Sequence, residues 1–144
     1  MEMRWMPENV RPEIGKKIKK IVDEQCPGKW WEDAVCYVLC HLPAEVQDEL
    51  LGGDIELKFS FLGGAFKGGR CADRRKMSPP CVIILLQKNL DAGWHNSSAL
   101  IGLISHELCH IFAKTEAGAF ELAKKWGFSY PSQVLLRQKA YNAE

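Results

Sequence analysis

A chain of 144 residues, 47% hydrophobic and 26% charged, has the composition of one globular domain and can bury a core without staples. Nineteen basic residues against eighteen acidic ones leave a net charge of +1, which excludes a strongly basic nucleic-acid coat and an acidic tail. The longest apolar run, residues 81–86, is too short to cross a bilayer, and the charged N-terminus has no apolar segment of a secretory signal, so a cytoplasmic chain with six reduced cysteines is expected.

Residues 11–25 read as a helix, with Ile14, Ile18, Ile21 and Val22 on one stripe and Cys26-Pro27-Gly28 as its stop. A second, apolar helix is expected over 30–40 and a third, amphipathic one over 43–51, closed by Gly52-Gly53-Asp54. Cys36, Cys40 and His41 have a spacing tolerable for zinc, but no second pair follows, and a buried helix face is the simpler reading. The period then changes: Ile55, Leu57, Phe59 and Phe61 alternate with polar residues, which predicts a half-buried strand. Gly63-Gly64 and Gly68-Gly69 signal turns around a short strand or loop, and residues 70–76 read as a solvated basic connection. Residues 81–86 predict a second, more buried strand, and 91–96 a loop.

From Ser97 the helical period returns, with Ser97 or Ser98 as a plausible cap and Leu100, Ile104, Leu108, Ile111 and Phe112 as one stripe. A further helix runs from 116 to 125 and stops at Trp126-Gly127, where Trp126 and Phe128 anchor it. A turn at Tyr130-Pro131 leads to a short helix or arm over 133–141.

His106-Glu107-Leu108-Cys109-His110 has the pattern H-E-x-x-H. Residues four apart on a helix lie about 40° apart around its axis, so the two imidazoles share a face and can share a metal ion. Zinc suits two neutral imidazoles and leaves room for a third protein ligand and a water. It lowers the pKa of that water, and Glu107 is placed to take the proton. Roughly one shuffled chain of this composition in a hundred carries the pattern by chance, so context matters. Here the pentad lies inside a strong helical pattern, after a β-branched strand. Cys109, inside the motif, reads as core.

The segment Ile104-Ser105-His106-Glu107-Leu108-Cys109-His110-Ile111-Phe112 resembles the active-site helix of zincin metallopeptidases, and the likeness covers about residues 54–128. In this it is similar to small gluzincin-like and SprT-like metallopeptidases, including those encoded by phages and prophages. The resemblance implies an α+β, zincin-like fold for a single minimal domain spanning 1–144. N-terminal helices would precede a small, mostly antiparallel sheet packed on the active-site helix, with a glutamate helix after it. It implies one Zn2+ ion and a peptide or protein substrate paired along an edge strand, supplied by residues 81–86 or the adjoining 87–90. The resemblance also offers Tyr130 as a phenol that could stabilise a tetrahedral intermediate, although its place after Trp126-Gly127-Phe128 is equally a packing position.

Two carboxylates compete as third ligand. Metzincins place a His where this chain has Glu116 and a Gly where it has Ala113, so that pattern is broken twice. Glu116-Ala117-Gly118-Ala119-Phe120 resembles the glutamate helix of gluzincins, which ranks Glu116 first and Glu121 second. In one unbroken helix Glu116 would point away from the imidazoles, and Glu121 would lie about 16 Å along the axis from His110. Either choice needs a chain reversal between Phe112 and Thr115 that no Gly or Pro marks; Thr115 can cap the new helix. The loser would be a solvated carboxylate, Glu121 pairing with Lys125. His95, in the preceding loop, is a ligand or substrate contact or, more simply, solvated.

The leading expectation is therefore a zinc metallopeptidase. A zincin-like zinc protein with little or latent activity, its cleft plugged by the segment after Pro131, is the alternative. A DNA-associated interaction module, as among SprT-like kin, has little support from a net charge of +1 but is not closed by it. The sequence names neither the substrate nor the oligomeric state.

Overall fold

The computed structural model describes residues 10–63, 68–88 and 97–128. Five helices and a three-stranded mixed sheet lie in these stretches, an α+β arrangement. α1 (Pro12–Gln25) has proline in its first turn, where the missing N–H costs nothing, and buries Ile14, Ile18, Ile21 and Val22. It ends at Cys26, which turns extended ahead of Pro27. α2 (Lys29–Cys40) buries Trp31, Val35, Val38 and Leu39, and α3 (Ala44–Leu51) buries Val46, Leu50 and Leu51 before Gly52.

β1 (Glu56–Leu62), β2 (Gly69–Arg74) and β3 (Cys81–Gln87) form one sheet in the order β1-β3-β2. β1 runs parallel to β3, from Glu56 opposite Cys81 to Leu62 opposite Gln87. β2 runs antiparallel to β3, from Gly69 opposite Leu86 to Arg74 opposite Cys81. Leu57, Phe59, Val82, Ile84 and Leu86 point into the core with period two.

Three expectations change here. Residues 70–74 are not a basic loop but most of β2, and the chain turns only at Arg75 and Lys76. Charge hid the strand, because a short edge strand tolerates arginines on its open face. The sheet is mixed rather than mostly antiparallel, because β2 pairs on the far side of β3 and leaves β1 parallel to it. Residues 81–86 form the central strand and cannot be the substrate edge; the edges are β1 and β2. On β1, the Phe59 N–H donates to the Gln25 side chain at 2.7 Å, so α1 engages that edge.

α4 (Ser97–Cys109) was expected to show one apolar stripe, yet every residue from Leu100 to Cys109 is buried. The helix lies between α2, the sheet and α5 (Glu116–Lys125), which leaves residues 100–109 no solvent face. Phe112 lies past its end and is 39% exposed. α5 sits on α4 through the small residues Ala119 and Ala123. It closes with Phe128 N–H donating to Ala123 and Gly127 N–H to Lys124, a Schellman ending that needs the positive φ of 96° at Gly127. Phe128 is then buried in the core.

No helix among the described residues is long and apolar enough to cross a membrane. The loop at 91–96, the helix or arm at 133–141, the segment after Pro131, His95 and Tyr130 lie outside the described residues, as does whatever caps α4.

Candidate metal site

α4 carries His106 and Glu107 in its last turn and delivers His110 just past its end. The chain then reverses without Gly or Pro. Ile111 N–H donates to Leu108 and Phe112 N–H to Cys109, i→i+3 bonds that tighten and finish the helix. Two carbonyls of the turn find side-chain partners: His110 Nδ1 lies 3.0 Å from the Ala113 oxygen, and Arg75 Nη2 donates to the Ile111 oxygen at 3.0 Å. Thr115 starts α5, its Oγ1 accepting from the Gly118 N–H at 2.9 Å.

This reversal brings Glu116 back over the imidazoles. His106 Nε2 and His110 Nε2 are 3.1 Å apart. Glu116 Oε2 lies 3.1 Å from the first and Oε1 lies 2.8 Å from the second. Zinc–nitrogen bonds of about 2.0–2.1 Å at tetrahedral angles place ligand atoms about 3.3 Å apart, so the three donors stand close to the spacing one ion would set. The same distances suit hydrogen bonds, so a shared proton can hold the trio together without metal. The contact to Ala113 is a hydrogen bond only if His110 carries its proton on Nδ1. In the neutral ring this leaves Nε2 as the bare lone pair that a metal requires. His106, Glu116 and His110 thus form a group that could hold a metal ion.

Burial is graded across the site. The His106 side chain is fully buried, His110 is 18% exposed and Glu116 is 58% exposed, so the group opens to solvent on the α5 side. The half-buried Phe120 ring, also on α5, lies 4.3 Å from the His106 ring, centroid to centroid, and packs on that imidazole. Glu121 is brought nowhere near. Its side chain is 78% exposed, and its cation neighbour is Lys124 at 4.0 Å rather than Lys125.

Glu107 is buried, 2% exposed, against β2. A Cβ built on Gly69 would fall 2.8 Å from its Cγ and 3.0 Å from its Oε2. Glycine is required there for close approach, a role that a reading of Gly68-Gly69 as a turn signal missed. Burial first, and then the charge of Glu107, push the Cys71 thiol on β2 up to about 12. Arg75 was missed as well, because three arginines and a lysine within a few residues read as solvated charge. Cys36 and Cys40 lie in the core of α2, and His41 is turned away, its Nδ1 2.7 Å from the Tyr37 oxygen and its ring stacked on Tyr37. A cavity of about 350 Å³ opens between α1, α3 and β1, lined by Lys17, Lys20, Leu50 and Leu57, and no residue of the His–Glu group borders it.

Comparison with known protein families, curated proteins and solved structures finds no match.

Proposed function

We propose that this protein is a zinc-dependent metallopeptidase of minimal, zincin-like design. The reading rests on one observation: two imidazoles four residues apart and the Glu116 carboxylate converge with their donor atoms 2.8–3.1 Å apart, and the residue after the first histidine is a buried glutamate. His106, His110 and Glu116 would hold the ion. When bound, zinc would polarise the substrate carbonyl and make the attacking water more acidic. Glu107 takes the proton of that water and returns it to the leaving amine. Its burial against Gly69 fixes the carboxylate and keeps bulk water from it. The peptide would pair with β2, the edge next to Glu107, since the β1 edge is engaged by Gln25.

Zinc content per chain and cleavage of an unstructured protein substrate test this together. The parent should purify with, or take up, one zinc, and Glu107→Gln should keep the metal and lose cleavage. A parent without stoichiometric zinc, or a Glu107→Gln variant that cleaves like the parent, would overturn it. A zinc-binding protein with little activity is the second reading. It is favoured by the depth of the groups involved: the His106 side chain is fully buried and Glu107 is 2% exposed. One bound zinc with no cleavage by the parent would select it.

A further inference from the structure

The reversal between α4 and α5 is the one step on which the third ligand depends, and the chain itself supplies no glycine or proline for it. Its geometry is held from outside by Arg75. The guanidinium makes two parallel bonds to Asp73 at 2.9 Å, from Nε and Nη2. Nη1 reaches Glu49 on α3, and Nη2 also donates to the Ile111 carbonyl at 3.0 Å. The group lies 5.2 Å from the centre of the Phe112 ring, and Phe112 meets Trp126 edge-on at 5.8 Å. Trp126 is the C-cap of α5. One side chain thus joins the end of β2, α3, the turn that follows His110 and, through Phe112, the far end of the helix that carries Glu116.

The chemistry suits the place. Ile111 lies just past the C-terminus of α4, where carbonyls lack helical partners and a cation is favoured by the helix dipole. The Arg75 side chain is only 27% exposed. The guanidinium also holds the Asp73 carboxyl below the usual carboxylate range. The guanidinium makes four hydrogen bonds, two of them a parallel fork on Asp73, and the three N–H groups of an ammonium cannot match them.

We infer that Arg75 is a positioning residue for the metal site: it fixes the 110–115 turn and so sets the distance between Glu116 and the two imidazoles. The inference rests on the reading of His106, His110 and Glu116 as ligands. Its test is the zinc affinity of the parent, Arg75→Lys and Arg75→Ala, read by competition with a chromogenic chelator. The visible spectrum of the cobalt-loaded forms and melting of the metal-free forms accompany it. Arg75→Ala should bind zinc about 10–100-fold more weakly, the range typical of groups that orient ligands. Arg75→Lys should fall between it and the parent, with a shifted cobalt spectrum, while its metal-free form keeps the parent's circular dichroism. Should Arg75→Ala not fold, Arg75→Lys decides. A folded Arg75→Lys with the parent's affinity and cobalt spectrum would overturn the inference and leave the metallopeptidase reading standing. A parent that binds neither zinc nor cobalt would overturn both.

Discussion

Two packed helices, α2 and α4 with the turn that ends it, each present a pair of metal-capable side chains at i and i+4, and the pairs end in opposite situations. Cys36 and Cys40 on α2 sit with their sulfurs 3.9 Å apart, both buried in the core. His106 on α4 and His110 just beyond it hold their Nε2 atoms 3.1 Å apart, at the rim of the same core. Helical spacing alone aligns both pairs. The difference is the third donor. His41 follows the thiols but bonds its own helix and stacks on Tyr37. Glu116 follows the imidazoles by six residues, and a turn returns it to them. A pair of ligands becomes a candidate site when the chain brings back a third and leaves a path to solvent.

The contrast breaks most sharply at the histidines. His106→Ala should reduce bound zinc from one equivalent to near none by elemental analysis, whereas Cys36→Ala with Cys40→Ala should leave the stoichiometry unchanged. Zinc lost from the cysteine variant and kept by His106→Ala would reverse the comparison. The third donor comes next. Glu116→Ala should weaken zinc binding by more than the ~10–100-fold typical of outer-sphere partners, and Glu121→Ala should leave it at the parent value in a chelator titration. Equal losses in the two variants would remove the distinction between these carboxylates.

Gly69→Ala tests Glu107 as the proposed base, apart from the proposed ligands. The new methyl group has to displace a buried Glu107 side chain. Cleavage should fall by up to the ~10²–10⁴-fold that a positioned base contributes, with zinc retained. Thr115→Ala removes the cap that starts α5 and should cost about 1 kcal/mol in a denaturant titration, with a small loss of zinc affinity. The mildest test concerns the thiols. Burial raises Cys109 to about 12, and burial with the Glu107 charge raises Cys71 to about 12. A raised thiol pKa keeps the protonated form up to that pH, so at pH 8 only ~10⁻⁴ of each is thiolate, against roughly a quarter of an ordinary thiol. Both should resist iodoacetamide in the folded chain at pH 8 and react once it is unfolded in denaturant.

Much of the fold was legible because period and punctuation agreed. Ile14, Ile18, Ile21 and Val22 mark α1, Pro27 ends it, and the alternation from Ile55 to Phe61 marks β1 to within a residue. β2 was not legible, since Arg70, Asp73 and Arg74 are exposed and Cys71 and Ala72 are both half-buried, so no two-residue period marks the strand. Strand pairing was not legible either. Residues 81–86 are apolar enough for either a central strand or a protected edge, and the pairing of β2 with β3 decides between them.

The sequence by itself determined the local chemistry: H-E-x-x-H on a helix, two imidazoles on one face, and a carboxylate six residues on at the start of a second helix. Those follow from 100° steps and capping rules that act over a few residues. The tertiary structure alone decided that the chain turns back after Phe112, that Glu116 and not Glu121 reaches the imidazoles, and that Glu107 rests in the space left by Gly69. Each of these depends on partners distant in sequence. Arg75 reaches the Ile111 carbonyl from 36 residues away, and no local rule links the two.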